Sequence, residues 1–167
     1  MNTPLVFYIE VDLKAVMRFK KMTAQRRKKI FDRAGTRYTK YLRNRYLGLS
    51  AMVGGSSTWP KLEDITVKSK EKRGIANNPK WILREGDELL NGMSFVTNPS
   101  GFTVGYMTPE GHPRFEGTLG QLASIHQEGN SNLPSRKILI KPTAPLYRLL
   151  VRDIQQSIGD VIREVNL

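Results

Sequence analysis

The chain has 167 residues, and its 27 lysines and arginines against 15 acidic residues give a formal net charge of +12. It has no cysteine, which excludes disulfides and thiolate metal sites. No apolar run approaches the roughly 20 residues that cross a bilayer, and no signal-peptide pattern is present, so we expect a soluble protein. This length predicts a single domain over residues 1–167, and the excess of positive charge favours nucleic acid as a partner.

The first part of the chain predicts a strand followed by a long helix. Val6–Val11 is β-branched and aromatic, as strands are, and Asp12 can cap a short helical segment after it. Thr23 is the expected N-cap of the main helix, which should run to about Leu47 and end before Gly48. The apolar side of this helix is formed by Ile30, Phe31, Ala34, Tyr38, Tyr41, Leu42 and Tyr46.

The same helix carries a basic stripe. Its members recur at helical spacing and are Arg26, Lys29, Arg33, Arg37 and Lys40. One interpretation is that the stripe faces the phosphates of DNA, either bound or passing through a channel. The other is that it is solvated or pairs with acids elsewhere, such as Glu63, Asp64, Asp87 and Glu88. The sequence leaves the two interpretations open.

Residues 48–78 read as a flexible polar loop. Glycine and serine dominate its start, and four basic residues crowd its second half: Lys68, Lys70, Lys72 and Arg73. This basic run is expected to be mobile and solvated, although it could seek phosphates. Trp59 is the exception, because an indole ring is costly to leave in water, and local packing is favoured over base stacking.

The middle of the chain predicts a helix, a hairpin and an irregular loop. Pro79–Leu90 should be mostly helical, although Gly86 argues against it. Apolar residues recur at alternate positions in Met93–Thr97 and in Phe102–Tyr106, and the turn between them contains Pro and Gly. This pattern predicts a half-buried hairpin. Thr108–Gly117, with two prolines and two glycines, should be an irregular loop.

The stretch from Leu119 to Lys141 is expected to join a helix to a strand. Apolar residues at helical spacing precede Gly129, which can end a helix in a left-handed conformation. After a polar loop, Ile138–Ile140 alternates as a strand does and ends before a proline. Arg136 lies at the beginning of that strand, where it could brace the joint or a subunit interface through charge-assisted hydrogen bonds.

The last helix has the strongest pattern in the chain. Thr143 can cap it, and Pro145 falls in its first turn, where a missing N–H costs nothing. We expect its apolar side to pack on a sheet rather than bind a partner; that side consists of Leu146, Leu149, Leu150, Ile154, Ile158, Val161, Ile162 and Val165. The predicted fold is therefore α+β, an antiparallel sheet packed by a long basic N-terminal helix and an amphipathic C-terminal helix.

The sequence has few groups of residues that are typical of catalytic sites. The chain has two histidines, His112 and His126, and neither shares a metal-binding spacing with other ligands. Glu128 follows His126 by two residues, which on a helix points it to a different side, so a structural histidine is favoured over a triad or nuclease. No phosphate-binding glycine loop occurs. We therefore expect no enzyme activity, no metal and no cofactor.

The same stretch carries a resemblance to a known family. Ile125, His126, Gln127 and Gly129, followed by Pro134 and Arg136, resemble the signature of the phage virion morphogenesis and tail-completion proteins. Other features occur in the family's order over most of the chain: the acidic N-terminal strand, the basic helix, the Trp59-Pro60-x-Leu62 segment before Thr66 and Lys70, and Ile82-Leu83 before Gly86 and Leu89. After its arginine the family often has a small or aromatic residue followed by Leu-Gly, whereas here Lys137 to Ile140 continue.

The resemblance implies a structural subunit of a tailed-phage neck or tail that completes the tail or joins head to tail. Such subunits form rings, usually six-fold, around the DNA channel, and contact neighbouring connector and tail proteins. It implies a location in the virion, and in the host cytoplasm during assembly. On this view the stripe Arg26, Lys29, Arg33, Arg37 and Lys40 faces DNA without reading its sequence, and Trp59, His126 and Arg136 serve assembly. The alternative is a free-standing basic nucleic-acid-binding protein.

Overall fold

A computed structural model describes residues 5–10, 22–75, 77–107 and 109–164. The short helix expected after Asp12 lies outside these residues. The helices in the described ranges are α1 (Ala24–Ser50), α2 (Asp64–Lys72), α3 (Glu88–Asn91), α4 (Leu119–Glu128) and α5 (Ala144–Glu164). The strands are β1 (Val6–Glu10), β2 (Ser94–Asn98), β3 (Gly101–Gly105), β4 (Gly111–His112) and β5 (Phe115–Thr118). No helix in the described part of the chain is both long and apolar enough to cross a membrane.

The fold class is α+β, as predicted, with a long N-terminal helix and a C-terminal helix packed on a sheet. The strands form a three-stranded sheet in the order β1-β3-β2 and a separate antiparallel pair, β4 and β5. The β2–β3 hairpin falls within one residue of its predicted place. β3 is its buried strand, because Phe102 and Val104 are both fully enclosed.

The chain divides into two compact units. Unit 1 is drawn from residues 1–5, 41–94 and 105–140, and unit 2 from residues 6–40, 95–104 and 141–167. Whether they amount to the single domain expected from the sequence stays a prediction. The buried side chains of unit 1 include Tyr46, Trp59, Ile82, Met93, Tyr106 and Ile138, and those of unit 2 include Ile30, Phe31, Tyr38, Phe102, Leu150 and Ile154.

Helix α1 begins where the sequence predicts but ends later. The side-chain oxygen of Thr23 accepts the N–H of Arg26 at 3.4 Å, as an N-cap does. The helix continues through Gly48 to Ser50, whose hydroxyl donates to the carbonyl of Leu47 at 2.9 Å and whose own carbonyl accepts the N–H of Ile82 at 2.9 Å. These two bonds satisfy polar groups at the buried helix end, so the glycine does not stop the helix.

The polar loop expected over residues 48–78 contains a helix, α2, which corrects that prediction. Helix α2 holds Lys70 in the interior of unit 1, where the side chain is only 2% exposed. Its Nζ donates to the carbonyl of Trp81 at 2.6 Å and to that of Arg84 at 3.4 Å. Burial lowers the pKa of Lys70, although Glu85 opposes the shift. The basic run is therefore partly an internal anchor rather than a solvated arm.

The helix predicted over Pro79–Leu90 is wrong except for its last turn, which belongs to α3. Leu83 and Asp87 take positive φ angles of 56° and 65°, which a right-handed helix cannot include. The segment is instead held by side chains, because Lys70 binds its carbonyls and Arg84 pairs with Asp87 at 2.6 Å. Sequence periodicity cannot reveal such contacts.

The loop predicted over residues 108–117 is also partly wrong, because it contains the β4–β5 pair. Gly111 pairs with Thr118, and His112 pairs with Phe115. Helix α5, by contrast, starts one residue after the expected cap at Thr143 and buries Leu146, Leu150, Ile154 and Val161. This burial confirms the predicted core role for these four residues. The other members of the predicted apolar side differ: Leu149, Ile158 and Ile162 are half-buried, and Val165 lies outside the described residues.

Candidate functional site

The stretch that carries the family resemblance is organised around α4. Thr118 caps the helix reciprocally with Gln121: its side chain accepts the Gln121 N–H at 3.2 Å, and the Gln121 side chain accepts the Thr118 N–H at 2.8 Å. Gly129 ends the helix at φ +74°. A Cβ at this glycine would lie 2.6 Å from the backbone nitrogen of Ser135, so the returning chain requires the glycine.

Gln127 joins α4 to the chain that follows the loop. Its Oε1 accepts the N–H groups of Ile138 at 2.8 Å and Leu139 at 3.0 Å, and its Nε2 donates to the Leu139 carbonyl at 2.8 Å. The N–H of Arg136 donates to the carbonyl of His126 at 2.6 Å. The side chain of Gln127 therefore satisfies the backbone N–H and C=O groups of this segment, as a neighbouring strand would in a sheet. We call residues 126–139 with these bonds the Gln127 joint.

The strand predicted over Ile138–Ile140 is not formed, and the Gln127 joint explains why. The alternating pattern is real, since Ile138 and Leu139 are both buried, but their backbone groups bind a side chain instead of a strand. Gln127 was part of the resemblance and yet absent from the predicted site residues. Its place one residue before the helix end was the signal, because a glutamine there can reach the returning backbone.

Arg136 is buried to 4% exposure in unit 1 and has little to bind. Its Nη2 donates to the Pro60 carbonyl at 3.4 Å, and its Nε is enclosed without a hydrogen-bond partner. Among the described residues no carboxylate forms an ion pair with it. Burial lowers the pKa of this guanidinium. Of the bracing by charge-assisted bonds expected from the sequence, the described chain therefore shows one long bond, to the Pro60 carbonyl, and a role at an interface stays a prediction.

His126 lies beside this arginine with its own unmet hydrogen-bonding capacity. Burial, with Arg136 and His112 as smaller causes, lowers its pKa to about 4. The ring is thus neutral at physiological pH, and its Nδ1 is enclosed without a partner. The structural role expected for His126 stays a prediction.

Trp59 packs inside unit 1, as the sequence analysis favoured. It is fully buried, its ring stands edge-on to Tyr46 with 5.1 Å between centroids, and its Nε1 donates to the carbonyl of Lys137 at 3.3 Å. That bond ties the Trp-Pro segment to the Gln127 joint. All the contacts we observe for Trp59 are internal, so its assignment to an assembly interface stays a prediction without direct support.

A cavity of about 680 Å³ lies in unit 1, and the loop after Gly129 forms part of its wall. Arg136 and His126 contribute to its wall, and so do Lys70 and Arg73 of α2. Glu85 also lines it, but its two oxygens are taken by Arg73 at 2.6 Å and Arg114 at 2.8 Å. Its volume falls in the range of small-ligand sites.

The basic stripe of α1 turns out to be largely paired within unit 2. Lys29 binds Glu164 at 2.8 Å, Arg33 lies 3.5 Å from Asp160, and Arg37 forms a two-bond pair with Asp153. These acids all lie on α5 and differ from the partners expected from the sequence, which were Glu63, Asp64, Asp87 and Glu88. The interpretation that the stripe pairs with acids elsewhere is confirmed for these three residues, with corrected partners.

The Arg37–Asp153 pair differs from the other two because its acid is buried. Asp153 is 1% exposed, and its hydrogen bond followed by its charge raises the pKa of Arg37. The outer pairs are exposed at both ends and contribute about 0–1 kcal/mol each. Arg26 and Lys40, at the two ends of the stripe, are exposed and form no ion pair with described residues. Within the described chain, the cations of the stripe without an ion pair are therefore those at its two ends.

Within the described ranges, no three histidines and acids are grouped so that they could hold a metal ion. The chemistry that the site offers is recognition of negative charge, through Arg136 in the cavity and through the exposed cations on α1.

Comparison with models of known protein families, with curated proteins and with solved structures finds no match for this chain.

Proposed function

We propose that this chain is a structural subunit of a tailed-phage neck or tail, acting in tail completion or head–tail joining. It assembles as a ring, with six-fold symmetry as the resemblance implies, around the channel that DNA crosses. Its partners are further copies of itself, neighbouring connector and tail proteins, and viral DNA contacted without sequence specificity.

The observation that carries the proposal is the order of family-like features along the chain, together with what its central signature does. Gln127, Gly129 and Arg136 all belong to one tight joint of backbone bonds. The residues of the signature hold a helix to the segment that follows it, which is a structural role. Such a role suits a structural subunit better than an enzyme. This agreement between motif and geometry supports the proposal.

The charge of the chain supports a polyanionic environment. A formal charge of +12 makes copies repel one another unless DNA or acidic neighbours compensate. Lys29, Arg33 and Arg37 are paired with acids of α5. Contacts with DNA in the channel are therefore made by the exposed Arg26 and Lys40. Such contacts go to phosphates alone, which leaves DNA free to slide past.

Native mass spectrometry and negative-stain electron microscopy of the purified chain test the ring directly, and a map of the mature particle tests its place. The expected result is a closed ring, in solution or, if the isolated chain is monomeric, within particles. A stable monomer that is also missing from purified particles would refute the proposal.

The second candidate is a free-standing nucleic-acid-binding protein, which the exposed cations at the ends of the stripe favour. It predicts submicromolar binding to duplex DNA at low salt and a steep fall in affinity as salt rises. Binding that does not depend on salt would dismiss this candidate.

A further inference from the structure

Arg136 is a buried cation without an anion, which is an unusual arrangement in a folded protein. Buried charges are normally paired, since removing a charge from water without compensation is costly. Here the guanidinium has one long bond to a carbonyl and an enclosed Nε with no partner. The described chain therefore leaves most of this group's binding capacity unused.

The surroundings of Arg136 do not supply the missing charge. Three acids line the same cavity: Glu63, Glu85 and Glu88. Glu85 is held by Arg73 and Arg114, and Glu88 approaches His112 at 3.8 Å. Glu63 is exposed just before α2.

The cavity wall is positive in sum. Five cations contribute to it, namely Lys61, Lys70, Arg73, Arg114 and Arg136, against the three acids. Negative charge entering the cavity would therefore be attracted before it reached Arg136.

His126 contributes to the wall of the same cavity. Its Nδ1 is enclosed without a partner, and the ring lies close enough to Arg136 for the two to interact electrostatically. Two enclosed nitrogens without partners, one on each residue, thus belong to groups that line one cavity.

We propose that this cavity is a binding site for a carboxylate group, with the guanidinium of Arg136 as its principal ligand and His126 beside it in the wall. A planar carboxylate matches the fork of an arginine, and the pairing supplies the counter-charge that the fold lacks. The cavity of about 680 Å³ accommodates either a small free dicarboxylate or an acidic side chain inserted from another polypeptide.

The test measures binding to the full chain by isothermal titration calorimetry, with sodium chloride at matched ionic strength as the blank. Three probes distinguish the sources of the anion: succinate represents a free dicarboxylate, N-acetylglutamate α-amide represents an acidic side chain, and inorganic phosphate represents a non-carboxylate anion. Saturable binding of either carboxylate at millimolar concentration or below is expected. Tighter binding of succinate indicates a free anion, and tighter binding of the glutamate derivative indicates a protein side chain.

The key variant is Arg136→Met, which keeps an unbranched apolar stem and removes the charged guanidinium. We expect at least a tenfold loss of carboxylate affinity, since a charged hydrogen-bonding partner disappears. Arg148→Met is the matched control, because Arg148 is exposed on α5 and its loss changes the net charge equally. That control should bind as the wild type does.

Stability separates a ligand-binding arginine from a structural one. In chloride buffer without carboxylate or phosphate, Arg136→Met should melt at or above the wild-type temperature, because an uncompensated buried charge is removed. Carboxylate should raise the melting temperature of the wild type but not that of the variant. If Arg136→Met does not fold, Arg136→Lys replaces it, and the loss of the planar fork should still weaken binding about tenfold.

Three results would overturn the proposal: no saturable binding of either carboxylate, wild-type affinity in the Arg136 variant, or binding of phosphate more tightly than both carboxylates. None of them bears on ring formation, so the site and the proposed function fail independently.

Discussion

The ion pairs of single residues differ in how much they should contribute to stability, as two arginines on α1 show. Arg37 and Arg33 both meet an acid of α5, but Asp153 is buried whereas Asp160 has a 41% exposed side chain. Water competes for an exposed pair and screens it, while a buried acid depends on its partner. The two pairs should therefore differ in their contribution to stability.

The Asp153→Ala variant should lose about 1–3 kcal/mol of unfolding free energy, since a charge-assisted pair with an enclosed acid disappears. Asp160→Ala should lose at most about 1 kcal/mol. Urea denaturation at neutral pH measures both. Equal losses in the two variants would show that burial of the acid does not matter.

The pH dependence of stability should show the neutral state of His126. Its pKa is about 4 in the folded chain, below the ordinary value of 6.5, so the unfolded chain binds more protons between these values. Stability is then fully present above pH 6.5 and falls as the pH drops toward 4, by up to about 1.4 kcal/mol per pH unit.

Unfolding free energies at pH 6.5 and 5 isolate this effect, because most carboxyl groups titrate lower. The His126→Gln variant should lose the dependence over that interval. An NMR titration of the His126 ring gives an independent check, and a midpoint near 6.5 would contradict the burial seen in the structure.

At the scale of elements, the Gln127 joint holds α4 to the segment after its loop. The Gln127→Ala variant leaves three buried backbone groups of Ile138 and Leu139 without partners, so it should lose about 2–4 kcal/mol. Glu128→Ala is the matched control on the same helix, since Glu128 is exposed and should change stability by no more than about 0.5 kcal/mol. Similar losses in both variants would mean that the joint does not depend on this side chain.

Two glycines give opposite expectations for the same substitution. Gly129→Ala should destabilise by more than about 1 kcal/mol, because φ is +74° and the new Cβ would meet the backbone of Ser135. Gly159→Ala should stabilise by about 0.5–1 kcal/mol, because this glycine lies in α5 with nothing within 4 Å of a Cβ. Thermal denaturation distinguishes them, and a shift of the same sign in both would contradict the structure.

At the scale of the whole molecule, only some of the positive charges on α1 are free of an acidic partner among the described residues and so able to bind phosphates. Pairing with α5 occupies Lys29 and Arg33, while Arg26 and Lys40 form no ion pair with described residues. The ends of the stripe, rather than its middle, should therefore meet phosphates.

The double variant Arg26→Gln/Lys40→Gln should lower the salt dependence of DNA binding by a slope of up to about 2, since two phosphate contacts are lost. Lys29→Gln/Arg33→Gln removes the same net charge and should lower it less. Filter binding or fluorescence anisotropy over a range of salt measures both slopes. Equal reductions would mean that only net charge matters.

The sequence predicted well several elements whose pattern and end residues are local. Helix α1 starts at its predicted cap, and the β2–β3 hairpin, α4 and α5 are formed as expected, because their apolar periodicity and end residues act within a few positions. The α+β class followed from these elements. Burial of Trp59 followed from its chemistry alone.

The tertiary structure decided what distant groups do to one another. Lys70 binds carbonyls at positions 81 and 84, so a segment with helical residues does not become a helix. Gln127 takes the N–H groups of Ile138 and Leu139, so an alternating segment does not become a strand. Arg136 was visible in the sequence as a charge at a joint, but its burial without a counter-ion depends on the packing of several segments. Local sequence fixes backbone preference, whereas the partners of side chains depend on contacts that the linear order does not contain.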